Sequence, residues 1–395
     1  MAFADEITVA ALEADPYPIY ARLRRESPVA WVPAANVWFV TRWQDVEFVS
    51  KNSALFGAEV ATSPVERSMG KPTILTCDGP QHEELRRGFD QKYKPRAVAE
   101  YIDDLARPIV EKYLDRIAPL GEVDLMEEYF EPLSSLCTAR SLGFDSVDVK
   151  TLQRWFHGMA LGAANYENDH EKQAVSDAAN AEVEAAITPI FERLERSPDD
   201  SAMSRMLHDG MEPGRTRSRA LLLPSIKVAL LGGMQEPGHG AGTVLIGLLT
   251  NPEQMKAVRA NPDGLLPKAV DEGLRWVAPI GTQMRQATRD VELGGTTIPA
   301  GAPVASVLSS ACRDEARYKD PDRFNIHRTE TSHAAYGFGS RFCAGRWFAQ
   351  RLIPHLLRPL IERLPDLSLM PHRPPVFGGW EFRAPGTLHA TYQPN

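Results

Sequence analysis

The amino-acid sequence predicts one mainly α-helical domain with small β-sheet portions, and three observations lead there. Apolar residues recur three and four apart, with charges between them, in "AVAEYIDDLARPIVEKYLDRI" (97–117) and "AANAEVEAAITPIFERLERS" (178–197), the period of amphipathic helices. Strand signals are short and local. No repeat, low-complexity tract or linker divides the chain, so residues 1–395 read as a single domain.

In chain order, the N-terminal "MAFADEITVAALEADPYPIY" has acidic residues where a secretion signal would be basic, and no continuous apolar run, so no export is expected. "AWVPAANVWFVTR" (30–42) reads as a β-hairpin. The stretch "ALLLPSIKVALLGG" (220–233) lies in the most apolar part of the chain. Pro224 and Lys227 interrupt it well short of the ~18 apolar residues of a membrane span, and no membrane association is expected. "DVELGGTTIPAGAPVASVL" (290–308) predicts short strands joined by Gly and Pro turns, and the tail from Leu367 onward predicts more of them. In "QRLIPHLLRPLIERL" (350–364), Pro354 and Pro359 interrupt a helical pattern for no reason visible in the sequence.

Composition narrows the function. With 44 Lys+Arg against 52 Asp+Glu the formal charge is -8, which excludes a general nucleic-acid or anionic-membrane binder. Cys77, Cys137, Cys312 and Cys343 show no CxxC spacing, so neither a disulfide framework nor a zinc site is suggested, and a cytoplasmic location is expected.

The most specific segment is "AYGFGSRFCAGRWFAQ" (335–350). Cys343 follows a glycine-rich loop and precedes a helical pattern, which predicts a sulfur near a helix N-terminus, where backbone N–H groups favour thiolate. Alone, such a cysteine is more often a buried small hydrophobe. The whole pattern, from Tyr336, Gly337, Phe338 and Gly339 through Arg341 to Cys343 and Gly345, resembles the haem-thiolate loop of cytochromes P450, with Tyr336 in place of the usual leading Phe.

That resemblance implies the P450 fold, with Cys343 as the proximal ligand of haem b and Phe338 and Gly345 beside it in the cofactor's binding loop. It also implies cations for the haem propionates: His82 and Arg86 from "HEELRR", with Arg285 and Arg341. Glu272 and Arg275 of "DEGLRW", one helical turn apart, with Arg323 of "DPDRF", match the family's buried Glu-Arg-Arg network.

The central helix departs from the family. Where most members have an acid followed by threonine, "LLGGMQEPGHG" (230–240) has Gln235 and Glu236. Pro237 cannot donate to the carbonyl of Gly233, so the helix is expected to bend or widen there and give an oxygen-binding notch more room. Two roles are open to Glu236: proton relay with water, or cap or ion-pair partner of the broken helix.

This segment, with "SPDDSA", "LHDGM", "EGLRW" and "GGWEFRAP", is similar to the bacterial P450s that O-demethylate guaiacol and related lignin-derived methoxyphenols. The similarity implies hydroxylation of an aryl methoxy carbon, giving a hemiacetal that collapses to a catechol and formaldehyde. It places Met69, Leu75, Ala163, Val228, Gly232, Ile280, Thr282 and Phe382 at the substrate. Met69 and Ala163 stand where the guaiacol enzymes have phenylalanine, so a larger pocket favouring 4-alkylguaiacols is expected.

The resemblance also implies dioxygen as co-substrate and electrons from NADH through a separate reductase with flavin and a [2Fe–2S] centre. Arg341, Arg346 and Arg351, with Lys92, Lys94 and Arg96, make a basic docking face for it or are scattered solvated charges. Two rivals stay open: hydroxylation of another small aromatic or terpenoid molecule, and a haem-binding sensor that never turns over.

Overall fold

The computed structural model describes residues 2–394. It is mainly helical, as the periodicity predicts, and is organised on one helix, Arg219–Leu249. From Pro237 to Leu248 every residue of that helix is buried, because all its side chains but the imidazole of His239 are apolar or small. The helices Glu131–Leu142, Val149–Ala163, Pro262–Trp276 and Arg346–Arg363 pack around it. Glycine sets two of these approaches. A Cβ on Gly233 would lie 2.4 Å from Cγ2 of Thr138, and one on Gly273 would lie 2.4 Å from Cγ2 of Val244.

The β portion lies beside the helices. Val29–Val32 and Val37–Val40 form the expected antiparallel hairpin, turned through Pro33–Ala35 and a left-handed Asn36. Val37–Val40 runs parallel to Pro303–Val307, which pairs antiparallel with Thr282–Ala287, and Phe56–Gly57 completes a five-stranded sheet. Val291–Leu293 and Thr296–Ile298 form a second hairpin closed by Gly294 and Gly295, both at positive φ. The tail supplies Ser368–Leu369, Phe377–Gly378, Ala384–Pro385 and His389–Thr391. The helix Arg346–Arg363 continues through Pro354 and Pro359, and the Tyr129 hydroxyl donates to the carbonyl of Leu356 between them. Among the described residues, no helix is long and apolar enough to cross a membrane.

One sequence expectation is corrected here. Glu272 receives both Nε and Nη2 of Arg275, at 2.7 and 2.8 Å, but its second guanidinium comes from Arg328, at 3.3 Å, and not from Arg323. Arg323 contributes its backbone carbonyl, which accepts from Arg275 and Arg328 at 3.1 Å each. The cause is local packing: the turn after Asp320 sends Phe324 inward, which leaves the neighbouring Arg323 side chain exposed. Arg328→Ala leaves Glu272 paired with Arg275 and removes only the second, longer contact, so it should destabilise the protein by about 1–3 kcal/mol in chemical denaturation. Arg323→Ala, which keeps the carbonyl, should stay within about 0.5 kcal/mol.

Candidate active site

The cysteine loop is closed by its own backbone. Gly337 and Gly339 take φ of 71° and 70°, and the Cys343 N–H donates to the Tyr336 carbonyl at 2.9 Å. Phe338 packs edge-on against Trp43, with ring centroids 5.1 Å apart, and anchors the loop to the helix Trp43–Lys51. Arg346 begins the next helix, and the N–H groups of Gly345 and Arg346 reach the sulfur as the sequence leads one to expect. The expected lowering of the thiol does not follow. Burial, reinforced by the nearby Glu236, pushes Cys343 up to about 12 against those two donors and Arg86. Two backbone dipoles are too weak to hold an anion in this interior, whereas a metal bonded to a thiol deprotonates it outright.

A cradle short of negative charge lies alongside. Arg341 donates to Asp78 at 2.5 Å and to the Cys77 carbonyl. Arg86 bonds Asp90 at 2.7 Å and the Phe342 carbonyl at 3.1 Å. Arg285 donates through Nη1 to the carbonyl of Met284, while its Nη2 is buried without a partner, as is Nε2 of His82. The crowding shows in the ionisation. Burial, with Arg341 and Arg86, pushes His82 down to about 4, and burial with Arg341 pushes Arg285 down to about 10. Unpartnered buried donors and mutually repelling cations call for an anionic group, and the two carboxylates of a haem fit.

Opposite the cysteine, the central helix has the rerouted hydrogen bonds that Pro237 demands. The freed carbonyl of Gly233 accepts from Thr138 Oγ1 at 2.5 Å and from Ser134 Oγ at 3.3 Å, and Ser134 Oγ accepts from the N–H of Gly238 at 3.1 Å. The Glu236 side chain folds back over Gly232, whose Cβ would sit 3.2 Å from Oε1. Burial alone pushes this carboxyl up to about 8, so it is protonated at neutral pH. It has no hydrogen bond or ion pair among the described residues, so the capping and ion-pair role finds no partner. Gly232, Gly233 and Glu236 on one side, and Cys343, Ala344 and Gly345 on the other, keep accessible surface deep in the molecule, and so line an interior cleft.

The substrate candidates divide. Met69 and Ala163 are fully buried in one apolar core, and Val228 and Phe382 pack against it. Ile280 and Phe382 face each other across an antiparallel bridge. Thr282 is buried and donates its hydroxyl to Glu381 at 2.7 Å. Leu75 stands apart at 46% exposed, at the end of a turn tied by Thr73, with its carbonyl 3.5 Å from Arg341. Sequence reasoning missed Asp78, Ser134, Thr138 and Glu381. Ser134 and Thr138, one turn apart in a helix buried almost throughout, carry a readable signal, since hydroxyls there must serve a neighbour.

A family profile described as Cytochrome P450 matches residues 243–371. Cytochrome P450 107B1 of Saccharopolyspora erythraea is 30% identical over 376 residues, covering 91% of this chain and 90% of the relative. The 6-deoxyerythronolide B hydroxylase of the same organism is 30% identical over 390 residues, covering 92% and 93%. Among solved structures, CYP109Q5 from Chondromyces apiculatus gives a TM-score of 0.86 at 27% identity, covering 99% of both chains. The chain belongs to the cytochrome P450 family. It is accordingly a monooxygenase of the haem-thiolate class that uses dioxygen and a small-molecule substrate, in a family that generally draws its electrons from a redox partner.

Arg285 offers an unpartnered charged donor to the cofactor, a bond worth about 1.5–3 kcal/mol, or roughly 10–100-fold in affinity. Arg285→Met should speed haem transfer to apomyoglobin by that factor, with the thiolate-type carbonyl spectrum unchanged.

Proposed function

We propose that this P450 O-demethylates lignin-derived methoxyphenols, with 4-alkylguaiacols preferred, to catechols plus formaldehyde, using electrons from NADH through a flavin and [2Fe–2S] reductase. What supports the reading is the central helix: its Gln-Glu-Pro-Gly-His run resembles that of the guaiacol-type enzymes, and the Glu236 carboxyl, which burial keeps protonated, folds over Gly232 there.

The residues of this chain supply fit and proton supply. Cys343 would hold the haem iron, which when bound supplies the oxidising power for the methoxy carbon. His82, Arg86, Arg285 and Arg341 would hold its carboxylates. Because the hydroxyl of Thr282 is committed to Glu381, its methyl is left for an apolar ligand, alongside Ile280 and Phe382. Met69 is more flexible and Ala163 smaller than phenylalanine, so the apolar wall they belong to can yield to an alkyl chain on the ring. The loosened helix near Val228 and Gly232 offers carbonyls to the phenol hydroxyl. Glu236, with a proton on its carboxyl, donates toward the cleft and is recharged from solvent.

Relatives of comparable identity include 6-deoxyerythronolide B hydroxylase, and another, from Mycolicibacterium smegmatis, is named steroid C26-monooxygenase. These favour a second reading, hydroxylation of a larger alicyclic molecule.

A binding panel followed by the haem absorption shift separates the readings. A propyl chain adds about 0.8 kcal/mol per buried CH₂, so 4-propylguaiacol should bind at least tenfold more tightly than guaiacol. Ala163→Phe should erase the gain. Tighter binding of guaiacol, or a response to steroids alone, overturns the reading. Glu236→Gln should cut formaldehyde per NADH about tenfold and raise hydrogen peroxide correspondingly. In the parent protein that coupling should fall as pH rises through about 8, where Glu236 loses its proton, and in Glu236→Gln it should be flat.

A further inference from the structure

We propose that His157, Glu131 and His239 form the entry path by which protons from solvent reach the Gln235–Glu236 turn of the central helix. This rests on the monooxygenase assignment, since each oxygenation consumes one dioxygen, two electrons and two protons and yields hydroxylated product and water.

The three side chains span the distance from solvent to core. His157, on the helix Val149–Ala163, has a side chain 61% exposed; Glu131 is at 14% and His239 at 8%. Glu131 sits between the imidazoles, with Oε2 at 3.5 Å from Nε2 of His157 and Oε1 at 3.7 Å from Nε2 of His239. Phe156 contacts both rings, at 4.5 and 5.7 Å between centroids, and forms an apolar wall along the path.

Local structure explains how a carboxylate comes to stand there. The chain enters the helix Glu131–Leu142 through a π-helical turn, Met126–Phe130, a device that re-aims side chains. Gly238 lets the two helices approach, because a Cβ there would lie 2.9 Å from the carbonyl of Phe130. Burial would raise the Glu131 carboxyl, yet hydrogen bonding and charge from His157 and His239 reverse this and hold it at about 2. The ionisable groups facing His239 are Glu131 from the neighbouring helix and His157 behind it; Glu236, three residues earlier on its own helix, makes no ion pair with it.

At the inner end, Nδ1 of His239 is buried without a partner, and so is Oε1 of Gln235, one helical turn earlier on the same face. In the sequence of steps, His157 takes a proton from solvent and passes it from Nε2 to Glu131. The carboxyl turns and hands it to Nε2 of His239, whose Nδ1 proton moves inward toward Gln235 and Glu236. His157 and His239 end neutral, each with its remaining proton on the opposite ring nitrogen, and Glu131 ends anionic; tautomer exchange through water or a ring flip resets both imidazoles before the next proton. The usual acid of the central helix is Gln235 here, and an amide cannot carry a proton, so an external supply meets a stated chemical need.

Two measurements test this on the holoenzyme. The first is independent of turnover. A carboxyl held at about 2 contributes stability that is present above its ordinary unfolded value and lost as pH falls toward 2. Denaturant unfolding from pH 6 to 3 should therefore fall less steeply in Glu131→Gln than in the parent, and parallel curves overturn the cluster. The second is the partition of NADH electrons between product and hydrogen peroxide, with its solvent isotope effect. His239→Asn and the exposed His157→Asn should each raise the peroxide share at least threefold and enlarge the isotope effect, with haem content unchanged for His157→Asn. Unchanged partition in both variants overturns the path. If methoxyphenols prove not to be substrates, peroxide release and its isotope effect during NADH oxidation still report on the relay, so the two readings fail separately.

Discussion

Pro237 leaves the carbonyl of Gly233 without its helical donor, and the active site is arranged around the way that loss is answered. Thr138 and Ser134 reach across from the adjacent helix to supply hydroxyls, and Ser134 also receives the amide of Gly238. The helix thus stays continuous while its internal ladder is interrupted. An orphaned buried carbonyl would cost about 1–3 kcal/mol, so the two hydroxyls determine whether the distortion is tolerated. The close approach they need is possible because residue 233 is glycine. One missing donor therefore fixes the spacing of two helices, the aim of Glu236 and the opening of the cleft.

The second organising feature is electrostatic. The protein gathers three guanidiniums and an imidazole against two aspartates, Asp78 and Asp90, and buries a thiol that it cannot ionise alone. Each half of that arrangement is unfavourable by itself. A ligand with a metal centre and two carboxylates satisfies both, so cofactor binding and folding stability are strongly linked. Glu236 follows a different logic: with no cation nearby, it keeps its proton and remains a neutral donor.

Much of this was legible in the sequence, because helical periodicity, glycine-framed turns and the cysteine loop depend on neighbours in the chain. The hairpin at Val29–Val40, the paired glycines at 294 and 295 and the position of Cys343 are of this kind. What depends on tertiary placement was not. Arg328 replaces Arg323 in the ion network because Phe324, between them, was the better residue to bury. The thiol rises because desolvation, invisible in a linear sequence, exceeds the pull of a helix terminus. Ser134, Thr138 and Asp78 act on residues roughly 100 to 260 positions away, and only the fold reveals the connection.

The network on Glu272 has one more consequence. The segment from Asp320 to Arg328 is almost without regular secondary structure, yet Arg275, Arg328 and the amide of Asn325 all converge on a single interior carboxylate. Fraying of this loop would strand charges in a low-dielectric medium, so it has no inexpensive partly open state. The ion network thus ties an irregular surface segment to the interior, so that opening it exposes the same charges that global unfolding does.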